Sequence, residues 1–133
     1  MTTELSHQSI NTEHSNDRTK VPTEIIYHRA SRLLELIYPD KSTSKISSEF
    51  LRVHSPSAEV RGHTPDQATL QYEKKNVAIV QIVLQGSYAI RISFDDNHDT
   101  GVYTWHYLWE LSENQTIYWE EYLQALLKSG KSR

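Results

Sequence analysis

An apolar hairpin in the middle of the chain constrains the fold more than any other feature. Residues 77–84 (VAIVQIVL) are apolar on both faces of an extended chain, which predicts a central strand covered on both sides. Gly86 and Ser87 supply a turn, and residues 88–94 then alternate in the period of two that is typical of a strand with one buried face. We therefore expect an antiparallel sheet built around this hairpin.

Weaker strand signals flank the hairpin on both sides. Pro39 and Asp40 predict a turn before it. The Asp-Asp-Asn sequence at 95–97 predicts a tight turn after it, because Asn and Asp tolerate left-handed backbone angles. The predicted strands are 23–28, 33–38, 44–46, 77–84, 88–94 and 98–103.

The last third of the chain is predicted to be helical. Thr104 is a suitable N-cap for a first helix, and Gly130 is typical of a helix end. Between them, apolar residues recur at helical spacing, and the stripe consists of Trp119, Tyr122, Leu123, Leu126 and Leu127. The pattern predicts an α+β domain: an antiparallel sheet of about five to six strands, with C-terminal helices packed on one face.

Length and composition limit the class of protein. A chain of 133 residues is one domain by size, with residues 21–130 as its folded part and the polar residues 1–20 as a disordered tail. A net charge of −3 argues against a surface of the protein that binds nucleic acid or a membrane. No apolar run predicts a membrane span or a leader peptide. The absence of cysteine excludes disulfides and thiolate metal sites, and we expect a cytoplasmic protein.

Two longer blocks, 51–60 (LRVHSPSAEV) and 94–108 (FDDNHDTGVYTWHYL), identify a relationship. They resemble the gamma-butyrobetaine hydroxylase-like N-terminal domain, and the match is closest to its small free-standing bacterial members. In the hydroxylases this domain precedes a separate iron- and 2-oxoglutarate-dependent catalytic domain, for which too little chain remains here. The resemblance therefore implies the fold but not the hydroxylase activity.

The same resemblance implies a structural zinc site that is incomplete in this chain. In the hydroxylase members, this domain holds zinc through three cysteines and one histidine. The cysteine positions are occupied here by Ser55, Ser57 and Val60, and only the histidine, His98, is present. Asn97 also replaces a usual glycine, and it can adopt the same left-handed conformation at a small cost.

Three histidines are the candidate metal ligands. One hypothesis is that His54, His63 and His98, with Asp96 or Asp99, form a nitrogen/oxygen site for zinc or iron. The favoured interpretation is that His98 is a hairpin histidine that hydrogen-bonds nearby carboxylates such as Asp96 or Asp99. We therefore expect no cofactor, and zinc or iron only if the histidine site forms.

No catalytic residue is predicted. Ser55 and Ser57 beside His54 and His63 could suggest a serine nucleophile, but the sequence lacks the strand–turn–helix context of hydrolases. Ser55-Pro56-Ser57 is more simply a turn with local hydrogen bonds.

Candidate partner-binding residues come from two groups. Trp105 and Trp109 share one helix face, and an exposed aromatic surface would mark a protein interface, whereas a buried one would belong to the core. Arg52 and Arg61 could form an anion- or partner-binding patch near the same loop, or part of a solvated salt-bridged face.

The predicted function is that of a small non-enzymatic accessory or adaptor domain acting through contacts with a partner protein. The family domain also occurs fused to P-loop ATPases that scaffold iron–sulfur clusters, which implies a role in iron–sulfur or metalloprotein maturation. The alternatives are a histidine-based zinc or iron module and a regulatory subunit of a separate 2-oxoglutarate oxygenase. An edge strand such as 23–28 is also compatible with a homodimer.

Overall fold

The computed structural model describes the backbone of Glu4–Ser9 and residues 21–133, except for the side chain at position 65. Within these residues the chain forms an α+β domain with two antiparallel sheets and C-terminal helices. The predicted fold class is confirmed, but the prediction of one sheet of five to six strands is wrong.

The first sheet has the strand order β1-β2-β3-β4. Its strands are β1 (Glu4–Ser9), β2 (Glu24–His28), β3 (Leu33–Ile37) and β4 (Thr43–Ser47). Strand β1 falls within the tail that was predicted to be disordered, and its backbone pairs with β2. The rest of that tail, residues 1–3 and 10–20, lies outside the described residues.

The second sheet has the strand order β5-β6-β7, so the central strand is β6 and not the predicted one. Its strands are β5 (Ile79–Gln85), β6 (Ala89–Phe94) and β7 (Gly101–Thr104). In β5, Val80 is 51% exposed and Leu84 is 38% exposed, whereas β6 is buried along most of its length. An apolar run shows that a strand can be buried, but it does not show how many neighbours the strand has.

The connection between β4 and β5 explains why there are two sheets. It contains α1 (Ser48–Val53), α2 (Ala58–Arg61) and a 3-10 turn (Pro65–Gln67), and it carries the chain across the domain before β5 begins. The sheets approach each other where β1 contacts β5. Strands that are consecutive in the sequence are therefore divided between two sheets.

The predicted N-cap at Thr104 and helix end at Gly130 are confirmed, whereas α2 and the start of the last helix at Gln115 were not predicted. The hydroxyl of Ser47 caps α1 by accepting from the Phe50 backbone N–H at 3.0 Å, and Thr104 caps α3 (Trp105–Glu113) by accepting from Tyr107 at 3.0 Å. Helix α4 (Gln115–Ser129) ends at Gly130, which has the left-handed φ of 65°. No helix in the described part of the chain is long and apolar enough to cross a membrane.

The core lies between the sheets and the C-terminal helices. Fully buried side chains from β2, β3, β6 and α3 form its main cluster, and they include Ile25, Leu34, Leu36, Ile90, Ile92, Leu108 and Leu111. A smaller cluster joins Val53 to Tyr122 and Leu126 of α4. Leu127, predicted to lie on the same stripe, is 73% exposed.

Candidate functional site

His98 lies at the centre of a small polar network that closes the β6–β7 hairpin onto the α1–α2 loop. Its Nε2 atom is 2.8 Å from the Ser55 hydroxyl, and its Nδ1 atom is 3.6 Å from Oε2 of Glu59. Ser57 reaches the same hairpin, because its hydroxyl is 2.7 Å from that of Thr100. We call Ser55, Ser57, Glu59, His98 and Thr100 the His98 network.

The two serines and the histidine of the network are buried, whereas Glu59 and Thr100 are exposed, and all five side chains are internally paired. Ser55 is 1% exposed, Ser57 6% and His98 5%. Besides His98, the Ser55 hydroxyl accepts a hydrogen bond from the Ser57 backbone N–H at 3.2 Å, and Thr100 donates to Glu59 at 3.2 Å. Buried hydroxyl and imidazole groups that are paired in this way stabilise the fold and leave little capacity for an outside ligand.

Gly101 allows the hairpin to approach this closely. A Cβ atom at position 101 would lie 2.7 Å from the Ser55 hydroxyl oxygen and 3.0 Å from Cε1 of Tyr103. Tyr103 is fully buried and its hydroxyl donates to the Leu51 carbonyl at 2.5 Å, while burial raises its pKa. Glycine is therefore needed here for space, not for a positive φ.

A charged group adjoins the network. The Asp96 carboxylate accepts hydrogen bonds from Arg52 at 2.9 Å and from Lys74 at 2.6 Å. Partial burial alone would raise the pKa of Asp96, but Lys74 and Arg52 outweigh it and lower that pKa. Burial, followed by the positive charge of Arg52, lowers the pKa of His98, so the imidazole is neutral near pH 7.

The favoured interpretation of His98 is therefore only partly right. Its ring bonds a serine rather than Asp96 or Asp99, and the contact with Asp96 Oδ1 comes from the His98 backbone N–H at 3.3 Å. The geometric reason is the tight turn at 95–97, which directs the histidine ring inward while the carboxylate of Asp96 bonds the backbone.

The other two candidate metal ligands occupy separate surroundings. The Nδ1 atom of His54 is 2.8 Å from the Phe50 carbonyl, and its ring stacks on Tyr118 at 5.9 Å between centroids. His63 is exposed. Among the described residues, no group of three or more His, Asp or Glu side chains is placed to hold a metal ion, so the three histidines do not form the predicted site.

Ser55, His98 and Glu59 lie in the order of a nucleophile, base and carboxylate. Two features oppose this chemistry. Ser55 is 1% exposed, so a substrate has no approach, and its oxygen already accepts a backbone hydrogen bond. The arrangement holds two loops together and does not present a nucleophile.

Two of the predicted partner-binding residues are buried, so they do not form the exposed surface on which that prediction depended. Trp105 is 5% exposed and donates through Nε1 to the Ser87 carbonyl at 2.7 Å, because α3 packs its first turn on the β5–β6 hairpin. Arg52 is 6% exposed, because Asp96 and Gln71 hold its guanidinium inside.

The other two predicted partner-binding residues are more accessible. Trp109 is half-buried, with its ring edge against Tyr38 at 5.2 Å. Arg61 is exposed and its guanidinium lies 4.6 Å from the centroid of the Tyr107 ring.

Sequence reasoning missed two surface features. One is an open cleft of about 470 Å³ between the β2–β3 link, β4 and the start of α4; its basic side chains are far apart in sequence. The other is an apolar groove at the end of α4, with Leu123, Leu126 and Leu127 flanked by Lys75 and Lys131. The helical stripe pattern assigned Leu127 to the core, and its exposure is visible only in the structure.

The chain is thus a small α+β domain. Hydrogen bonds from Ser55 and Ser57, rather than cysteine ligands, connect its α1–α2 loop to the β6–β7 hairpin. The sequence model of the family described as "Gamma-butyrobetaine hydroxylase-like, N-terminal" matches residues 25–109. The chain belongs to this family, as the sequence predicted.

Solved structures agree with this assignment. Two proteins with NMR solution structures are 47% and 41% identical, with TM-scores of 0.73 and 0.75. The first alignment covers 85% of this chain and 89% of the relative, and the second covers 92% and 90%. A crystal structure of a protein of unknown function in the DUF971 family, from Acidithiobacillus ferrooxidans, is 34% identical over 73% of this chain and 98% of that one, with a TM-score of 0.62. No curated protein matches this chain.

Proposed function

We propose that this chain is a non-enzymatic accessory domain that acts by binding another protein, and that its docking surface is the apolar groove at the end of α4. The observation that carries the proposal is the exposure of Leu127. Its side chain is 73% exposed and lines a groove with a volume of about 510 Å³. A large apolar side chain in a groove marks a protein interface more often than a scattered surface leucine does.

The surroundings of the groove suggest what kind of segment it accepts. Leu123, Leu126 and Leu127 provide a mainly apolar wall, and Lys75 and Lys131 lie at its edge. An amphipathic helix with acidic residues beside its apolar stripe complements this surface in shape and charge.

The His98 network also supports a non-enzymatic role, because its polar side chains bond one another. Of the positions that match the zinc ligands of the hydroxylase members, Ser55 and His98 bond each other, Ser57 bonds Thr100 and Val60 is apolar. All four are buried, and the nucleophile-like Ser55 is 1% exposed. The network maintains the fold, which leaves the surface as the place where the domain acts.

A matched pair of substitutions on α4 tests the proposal. Leu127→Glu places a charge inside the groove, whereas Ile117→Glu places the same charge at a 59% exposed residue outside it. We expect a photo-crosslinker at position 127 to trap one partner in cells, and Leu127→Glu to abolish co-purification of that partner while Ile117→Glu retains it. Equal retention by both variants would contradict the proposal.

The identity of the trapped protein then distinguishes the partner classes. The family association favours a protein of iron–sulfur or metalloprotein maturation, and a 2-oxoglutarate oxygenase would instead make this chain its regulatory subunit. A second copy of this chain, recognised by a doubled mass in solution that Leu127→Glu abolishes, would replace the adaptor role with self-association.

A further inference from the structure

A second open surface differs from the α4 groove in its chemistry. The cleft of about 470 Å³ lies between the β2–β3 link, strand β4 and the start of α4, and Phe50 and Val77 contribute to its wall. We call it the basic cleft. Its volume is within the range of small-molecule sites.

The basic cleft gathers positive charge from separate parts of the chain. Arg32 comes from the β2–β3 link, Lys45 from β4 and Lys75 from the segment before β5, and all three are exposed. In the part of the chain that the structure describes, none of the three forms an ion pair. They converge on a protein whose net charge is −3, so the basic character is local.

The carboxylate in the cleft is already neutralised. Glu49 is 5% exposed, and Arg133 binds both of its oxygens, at 3.0 Å and 2.7 Å. A bidentate pair of this kind is well ordered and leaves the carboxylate little capacity to compensate other cations. Of the residues that the structure describes, Glu49 is the only carboxylate that lines the cleft, so no lining carboxylate is left to pair with Arg32, Lys45 or Lys75.

The start of α4 adds a second, independent feature. Gln115 and Thr116, the first residues of this 15-residue helix, line the cleft, and Asn114 makes no side-chain cap for it. No acidic residue lies in the first turn. The N-terminus of a helix favours negative charge through its dipole.

We propose that the basic cleft binds a small organic anion with several charged oxygens, either a polyphosphate or a polycarboxylate. Three cations from different elements suit a ligand with several negative groups better than a single chloride or acetate. The apolar side chains in the wall leave room for a carbon skeleton between those groups. This site is distinct from the protein contact proposed at the end of α4, although Lys75 and Arg133 line both surfaces.

Titration of the full chain, followed by amide NMR shifts, tests the proposal with two probes. Pyrophosphate represents the phosphate class and citrate the carboxylate class. We expect at least one of them to shift the amides of Ser31, Lys45 and Thr116 together in a saturable way. Binding of pyrophosphate alone, or of citrate alone, assigns the ligand class. Absence of saturable shifts with both probes would overturn the proposal.

A charge-matched pair of double variants separates a site from general electrostatic attraction. Arg32→Gln with Lys45→Gln removes two charges from the cleft, and Lys41→Gln with Lys128→Gln removes two exposed charges elsewhere. The cleft variant should raise the dissociation constant about tenfold or more, as loss of charge-assisted hydrogen bonds does, and the control should change it less than about twofold. Equal weakening in both variants would show that only net charge matters.

Discussion

The His98 network and the basic cleft use polar side chains in opposite ways. In the network, Ser55 and His98 are buried and bonded to each other at 2.8 Å, and the neighbouring groups are paired as well. In the cleft, Arg32, Lys45 and Lys75 are exposed and gather around open space. Polar groups that satisfy one another hold a fold together, whereas those that do not are available to a ligand. The region that the family motif emphasises is thus structural, and the region without a motif is the better candidate for binding.

The largest test of this comparison converts the network back into a metal site. Ser55→Cys, Ser57→Cys and Val60→Cys together restore the ligand types of the family. Across a tetrahedral zinc, a sulfur and a nitrogen lie roughly 3.5 Å apart, by the usual Zn–S and Zn–N lengths. Ser55 and His98 are 2.8 Å apart and so need to separate only slightly. We expect one zinc ion by native mass spectrometry, and a gain of about 4 kcal/mol in unfolding free energy when zinc exceeds its dissociation constant about a thousandfold.

The matched control for this variant adds His98→Ala. It should lose the tight zinc binding, since three thiolates then lack the fourth protein ligand. Equal zinc affinity with and without His98 would show that the loop and the hairpin do not converge as the structure shows.

A smaller effect is expected from Gly101→Ala, which tests how tightly the network is packed. The new Cβ atom would lie 2.7 Å from the Ser55 oxygen, so the hairpin must shift. Overpacking of this kind costs about 2–3 kcal/mol. Gly130→Ala is the control, because no atom lies within 4 Å of the new Cβ and only the φ of 65° is strained, at a cost of about 1 kcal/mol. Urea denaturation measures both; equal losses would contradict the close approach.

A pH-dependent effect should also arise in the network. Because the pKa of His98 is lowered on folding, the unfolded chain binds more protons than the folded one as pH falls below the ordinary histidine pKa of about 6.5. The contribution of His98 to the free energy of unfolding is therefore complete above that pH, and it is lost as the pH falls toward the lower pKa of the folded state. Burial lowers the pKa of His54 as well and adds in the same direction.

The measurement compares unfolding free energies at about pH 7 and about pH 5.5, above the range in which Asp96 titrates. His98→Asn should reduce the loss of stability between the two pH values, and its effect should be smaller than that of Gly101→Ala. His63→Asn, at an exposed histidine, should leave the loss unchanged. An identical pH dependence in His98→Asn and the wild type would contradict the assignment.

The smallest change in unfolding free energy is expected from substitutions in the basic cleft. Removing Arg32 and Lys45 should change the unfolding free energy by less than about 0.5 kcal/mol, because exposed residues without ion pairs contribute little to folding. A loss above about 1 kcal/mol would mean that these cations hold the fold, and the contrast with the network would disappear.

Much of the fold was predictable because it depends on local patterns. The caps at Ser47 and Thr104, the left-handed Asn97 with its φ of 68° and the helix end at Gly130 follow from the chemistry of single residues. The family blocks correctly placed the hairpin histidine beside the loop that contains Ser55. Neither required knowledge of which distant elements meet.

The differences between the sequence expectations and the structure share one physical cause. A tryptophan such as Trp105 is found both in cores and at interfaces, and an arginine such as Arg52 is buried only where distant residues pair with it, so the elements packed against them decide their exposure. Likewise, the apolar run at 77–84 became a strand at the end of its sheet, since pairing partners are chosen by long-range contacts.

The sequence by itself determined the family, the α+β class, several turns and caps, and the absence of thiolate ligands. Only the tertiary structure decided that Ser55 pairs with His98, that the three histidines do not form one metal site, and that Arg32, Lys45 and Lys75 converge on one cleft. Backbone propensities and helix caps depend on residues that are close together in the sequence. Burial, pairing and charge convergence depend on residues that are distant in sequence and adjacent only in space.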